Sequence, residues 1–199
     1  MLPVIQRDSL SMEFLRRMQY YFQFDSAYLY WIVILLCRYA IPWIMDQSSG
    51  DRISEIPPMS RIERKLLVFQ YFTFLAMFIY SFLLPLPPYD VWFYIGTGVF
   101  FLMMLLHAHA IYTFIKTPVT DFTRDGIYRY SRHPMHLTIL AANTGIALAT
   151  QSLLYGGMVL LAVITTHQVI IGEERACRQK FGEKYRRYAE TVHRYLGRG

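Results

Sequence analysis

Long apolar runs alternate with short charged connectors along the chain, and the alternation predicts its architecture. Residues 10–24 put Leu10, Phe14, Met18, Tyr21 and Phe22 on one side of a helix, with Glu13, Arg16, Arg17 and Gln23 mostly elsewhere. That suits a short amphipathic helix lying in a membrane interface, and fits almost as well a leader that packs on nothing. Residues 27–45 read as a first membrane span whose only charge is Arg38. The arginine can snorkel to the headgroups or face a polar interior, and a structural role is expected for it. Residues 66–86 read as a second span, entered after Arg61, Arg64 and Lys65 and ended by Pro85, Pro87 and Pro88, since proline cannot continue the helical ladder. Residues 91–115 are a third span, residues 135–150 a short fourth, and residues 153–172 a fifth. The brief connections at 86–90 and at Gln151-Ser152 predict antiparallel helical hairpins. In the tail, Cys177, Phe181, Tyr185, Tyr188 and Val192 recur three and four apart, so an amphipathic helix there has something apolar to cover: the membrane surface, or a ligand on the end of the bundle.

The expected fold is therefore all-α: a polytopic membrane protein with about five transmembrane helices, an N-terminal interfacial helix and a C-terminal amphipathic helix. It reads as a single integral membrane domain over residues 1–199. A leader (1–26) and three spans (27–115) precede a loop, a helical hairpin and the tail (116–199).

Composition agrees. The chain has 199 residues, 54% of them hydrophobic, with a net charge of +6, and its mean hydropathy is +0.25. The apolar residues lie in blocks, which excludes an ordinary soluble domain. The basic residues sit directly against the spans, so their partner is expected to be the membrane surface and not nucleic acid. Lys and Arg crowd the loops after the first and third spans and the tail, while the other two turns carry none. The positive-inside rule then faces the loop at 116–134 and the tail to the cytoplasm, of a bacterial inner membrane or the endoplasmic reticulum. Before the first apolar run Arg7, Asp8, Glu13, Arg16 and Arg17 interrupt any signal-peptide pattern. Cys37 and Cys177 are expected to remain unpaired thiols, and no Cys/His spacing predicts a metal site. His107 and His109, two apart, do not share a helix face; they read equally as interfacial histidines or as lining a polar cavity.

Two polar islands carry the candidate chemistry. The first is Gly126-Ile127-Tyr128-Arg129-Tyr130-Ser131-Arg132-His133-Pro134-Met135-His136, just before the fourth span. Proline in the first turn of a helix leaves free N–H groups and a positive dipole end, to which Arg132 and His133 add donors. That makes a small anion site for a carboxylate or phosphate; a basic, aromatic juxtamembrane anchor is an equal reading of the same residues. The second island, Gly172-Glu173-Glu174-Arg175, follows the fifth span. Adjacent acids there suit a cationic ligand group, or Glu174 can pair with Arg178 four residues on. The hairpin brings the islands together, and an anion site facing acids suits a zwitterion. His167 lies seven residues before Glu174 on the same helix face.

The order and spacing of Gly126 to Met135, Glu173-Glu174, Phe181-Gly182, Tyr185 and Tyr188 resemble the isoprenylcysteine carboxyl methyltransferase and phospholipid methyltransferase superfamily, over roughly residues 120–196. The first three spans match only in character. The resemblance implies an integral membrane enzyme using S-adenosylmethionine on a lipid or lipophilic small-molecule acceptor. By position, Gly126, Tyr128, Arg132, His133, Pro134, Met135, Glu174 and Arg178 would bind the cofactor, and Glu173 and His167 would be catalytic. Two departures stand out. His136 occupies a position that is often tyrosine. Val169 stands where the carboxyl methyltransferases carry an arginine for the acceptor's carboxylate, which favours a phospholipid amine over a prenylcysteine carboxylate. Sterol reductases, which bind a nicotinamide cofactor, share an Arg-His-Pro segment and a run like Cys177 to Gly182, so an NADPH-dependent membrane reductase is the first alternative. A non-enzymatic membrane scaffold is the second.

Overall fold

The computed structural model describes residues 26–45, 53, 56, 58–87 and 90–198, which form five α-helices and no strand. They are α1 (Tyr28–Met45), α2 (Arg61–Ser81), α3 (Val91–Lys116), α4 (Pro134–Thr150) and α5 (Leu153–Thr191), with a short 3-10 turn over Gly126–Arg129. The all-helical expectation holds. Helices α1, α3 and α5 are long and apolar enough to cross a membrane. Leu105, Phe72 and Ile164 are exposed on the outside of the bundle, as in a protein whose surroundings are lipid. The anticipated helix at 10–24 lies outside the described residues.

Helix α2 differs from the span expected over 66–86. It begins earlier because Ser60 and Glu63 form a reciprocal capping box, which satisfies donors at the first turn and draws Arg61, Arg64 and Lys65 into the helix. It ends at Ser81, ahead of the prolines, where the Phe82 N–H turns onto the carbonyls of Ile79 and Tyr80. The chain then runs past α1, where Ala27 N donates to Leu84 O at 2.9 Å. The expected hairpin of the second and third spans does not form: α2 packs on α5, α3 packs on α4, and α2 and α3 hardly touch. A short connection sets where a helix starts. Its packing partner is set by the side chains along it.

The α3–α4 contact is the closest in the bundle. A Cβ added to Gly96 would lie 2.3 Å from Ala149 N, and one added to Gly145 would lie 2.7 Å from Gly96 O. Small residues on both faces let two backbones meet, which in lipid replaces the missing hydrophobic drive. Cross-helix hydrogen bonds tie the remaining elements. Tyr155 Oη donates to Asn143 Oδ1 at 2.8 Å and accepts from Trp31 Nε1 at 3.1 Å. Gln70 Nε2 donates to Thr166 Oγ1 at 2.7 Å. Arg38 Nη2 reaches the Ile53 carbonyl at 3.4 Å, a structural tie between α1 and the segment before α2.

Helices α4 and α5, expected as the fourth and fifth spans, do pair as a hairpin. Gln151 takes a left-handed conformation (φ 51°) and the Ser152 side chain caps α5. The fifth span and the tail helix, expected to part at residue 172, part instead at Gly182. Helix α5 runs through Glu173 and Glu174 as far as Gly182, whose φ of +53° bends it. Phe181 just before the bend and Tyr185, Tyr188 and Val192 beyond it close on Phe122 in a second small core. The apolar face of the tail thus covers the loop after α3, which was neither of the two expected partners. Residues 192–198 then return as a strap. Arg132 N donates to His193 O at 3.3 Å and Gly197 N to Tyr130 O at 2.8 Å.

Candidate functional site

The first polar island is shaped by local backbone requirements. Gly126 has a φ of +56°, and a Cβ there would lie 3.0 Å from both His109 Nε2 and Thr113 Oγ1. The glycine is needed for conformation and for space. Tyr128 is buried, and its carbonyl accepts from Tyr188 Oη at 2.7 Å. His133 is the N-cap of α4 with Pro134 at the first helical position, so the ring is aimed at the charged end of the bundle. Its own N–H is taken by Ser131 Oγ at 3.1 Å.

The hairpin brings both islands together. Glu174, whose side chain is 3% exposed, is met by Arg132 Nη1 at 3.2 Å, His133 Nε2 at 3.4 Å and Arg178 Nη2 at 3.5 Å. Arg194 adds a fork of two hydrogen bonds at 3.0 Å each. Burial alone would raise the Glu174 pKa; the bonds from His133 and Arg194 and the charge of Arg132 prevail and hold it at about 2. Glu173 receives His133 Nδ1 at 3.2 Å and His136 Nε2 at 3.0 and 3.2 Å. Desolvation works against its charge as well, yet the two histidines keep its pKa well below the usual carboxylate range. For His133 burial favours the neutral ring, but hydrogen bonds and charge from Glu173 and Glu174 outweigh it and raise its pKa.

The nearest ring nitrogens and carboxylate oxygens of His133, His136 and Glu173 lie within 4.8 Å of one another, a spacing that admits a small cation. Two ring N–H donors around one carboxylate account for the same spacing. Beside the cluster is a cavity of about 470 Å³ lined by Arg132, Arg178, Gly182, Arg186 and their neighbours. A larger groove of about 620 Å³, bordered by Lys184 and Arg187, includes no residue of the cluster and is not the site.

Of the residues singled out in the sequence, Arg132, His133, Glu173, Glu174 and Arg178 meet in one cluster. Gly126, Tyr128, Pro134 and Met135 build the segment that carries it. His167 stands apart, its Nδ1 hydrogen-bonded to the Tyr195 hydroxyl on the strap. His107 is buried between α3 and α4, with Nδ1 2.9 Å from Thr138 Oγ1. Sequence reasoning missed Arg194, which lies twenty residues from Glu174 beyond the end of α5. No helical spacing links the two, and only the reversal of the strap does. His136 stood out as a departure, but its pairing with Glu173 required the hairpin register.

A zwitterion fits this donor set. The acids suit an ammonium group. Arg132 Nε, buried without a hydrogen-bond partner, is a charged donor left over for a carboxylate. Compared with known proteins, residues 91–184, just under half of the chain, match the family model described as phospholipid methyltransferase. The match bears out the resemblance read from the motif and extends it back across α3. It supports a membrane methyltransferase. Neither a curated protein nor a solved structure matches the chain.

Proposed function

We propose that this membrane methyltransferase moves the methyl group of S-adenosylmethionine to the amine of a phospholipid, or of another small acceptor dissolved in the membrane, at a site facing the cytoplasm. One observation carries the reading: Glu173 and Glu174 lie under a ring of arginines and histidines at the mouth of a helical hairpin. Glu174 would hold the amino group of the cofactor, and Arg132 with Arg178 its carboxylate. Gly126, Tyr128, Pro134 and Met135 would form the adjoining wall. The cofactor supplies a methyl group on a sulfonium sulfur, and that sulfur keeps the electron pair of the broken bond. The protein's part is then to align the acceptor and to exclude water.

The acceptor preference rests on Val169 and on the surroundings. Val169 is buried and apolar, and it offers an acceptor carboxylate no donor. The outside of the bundle is apolar, so a lipid-borne acceptor would arrive from the side. Arg194 now occupies Glu174, so a cofactor ammonium has to displace the strap's guanidinium, and the strap would reclose over it.

The test is an incubation of purified protein with labelled methyl donor and a total membrane lipid extract, followed by identification of the labelled product. A labelled aminolipid is expected. Glu174→Ala should weaken donor binding about 30-fold or more. Binding of NADPH with no binding of the methyl donor would favour the reductase and sink this reading.

A further inference from the structure

We propose that His136, held by Glu173, is the base that takes the proton from the ammonium group of an amine acceptor. This deepens the reading above and rests on it. The two histidines on Glu173 are not equivalent. His133 is 7% exposed and also faces Glu174, so it is enclosed within the cluster. His136 is 27% exposed and makes hydrogen bonds to Glu173 alone among the described residues.

Those bonds fix the chemistry of the ring. Glu173 is ionised and accepts through Nε2 of His136, so in the neutral ring the proton resides on Nε2. The lone pair is then on Nδ1, for which no hydrogen bond to a described residue occurs. A carboxylate that holds one nitrogen of an imidazole, fixing the tautomer and supporting the cation that forms, is a general-base arrangement. His136 also sits one helical turn into α4 from His133, with the Glu173 carboxylate between the two rings.

The reaction gives such a base a task. An amine head group reaches the site as an ammonium, which has no electron pair to form a bond to carbon. In the proposed step the N–H bond of the ammonium breaks and its proton goes to Nδ1 of His136. The nitrogen keeps the electron pair and uses it for the new N–C bond, while the imidazolium faces the Glu173 carboxylate. The proton afterwards leaves to water from the exposed edge of the ring. A carboxylate or thiolate acceptor needs no such base. The ionisable groups facing His136 are Glu173 from α5, His133 from its own helix and, at longer range, His107 from α3.

The experiment uses the full chain in lipid nanodiscs, the labelled methyl donor and an aminophospholipid. In the ligand-free protein, ring nitrogen NMR shifts of His136 should report the Nε2–H tautomer, and Glu173→Gln should abolish that bias. His136→Gln should cut turnover by about 100-fold or more at pH 7 while donor affinity stays within about twofold. The deficit should narrow as pH rises toward the acceptor's own deprotonation, and added imidazole should restore part of the rate. His136→Asn, which cannot take the proton, should show the same loss and guards against misfolding of the glutamine variant. Labelling of the amine at equal rates by wild type and both variants, or a proton found on Nδ1, overturns the base alone. Labelling of only a carboxylate or thiol by wild type overturns the amine reading and the base together.

Discussion

Where α4 passes Gly96, its backbone touches that of α3 and no charge is near. Where α4 begins, at His133 and Pro134, the contacts are charge pairs of the His133 ring with Glu173 and Glu174. The same helix is thus held at one end by shape and at the other by charge. The apolar end tolerates no added atom at Gly96 or Gly145, and backbone meets backbone there. The charged end has spare room in a cavity and an arginine on the strap, but its stability depends on protonation. A site that must admit and release a zwitterion is served by the second kind of contact, and a scaffold that must hold its register in lipid by the first.

The largest effect is expected where the charged end loses its centre. Glu174→Ala leaves Arg132, His133 and Arg194 facing one another around a buried gap, which costs about 3–5 kcal/mol when one partner of a buried pair is removed. Thermal unfolding and protease sensitivity of the strap both measure it; a variant as resistant as wild type would mean the arginines find other partners. The pH dependence has two limbs. The folded pKa of Glu174 is depressed from 4.5 to about 2, so its contribution is complete above 4.5 and is lost as pH falls through about 2. The folded pKa of His133 is raised above 6.5, so its contribution is complete below 6.5 and is lost as pH rises through that higher value. Donor affinity and strap protection should fall on both sides of this window. The helix contact at Gly96 should not respond to pH at all.

The apolar end breaks by volume. A Cβ on Gly145 would lie 2.7 Å from Gly96 O and 2.8 Å from Phe100 N, both backbone atoms. Gly145→Ala therefore forces the helices apart, at about 1–3 kcal/mol for overpacking. Gly98, two residues from Gly96 and on the other face of α3, has nothing within 4 Å of an added Cβ. Gly98→Ala should be neutral or stabilising by up to about 1 kcal/mol through helix propensity. Equal losses from both, read by thermal unfolding in detergent, would show that the close approach is not what holds α3 to α4.

The two ends were not equally legible in the sequence. The extents of α1, α3 and α4 followed from apolar runs, whereas a capping box moved α2 and α5 ran on past its apolar stretch; the α4–α5 hairpin followed from a two-residue turn. The Gly96–Gly145 contact was not legible, since small residues mark many positions and only packing selects the pair. At the charged end, Arg132, His133 and Glu174 were found from motif order, and Arg178 from i,i+4 spacing. Arg194 was out of reach because it meets Glu174 only after Gly182 bends the helix and the strap turns back. The same bend explains why the tail covers Phe122. Residues three and four apart reveal that a face is apolar, but they do not reveal what it meets.

The smallest effect belongs to the rim of the charged end, and it separates buried charge from mere charge. Lys184 Nζ lies 2.7 Å from Asp121 Oδ2, and the lysine hydrogen bond is the main reason the Asp121 pKa is lowered. The lysine side chain is about half exposed, so water and salt screen the pair, and exposed pairs are worth about 0.2–1 kcal/mol. Lys184→Ala should therefore barely move the unfolding midpoint, and high salt should erase the difference. The neighbouring contacts of Phe122 with Phe181, Tyr185 and Tyr188 remain after the substitution and hold the loop to the tail. A double-mutant cycle of Lys184→Ala with Asp121→Ala at low and high salt gives the coupling directly. A coupling that matches the loss from Glu174→Ala, or that persists in salt, would mean the charged end is held as much by its rim as by its buried acid.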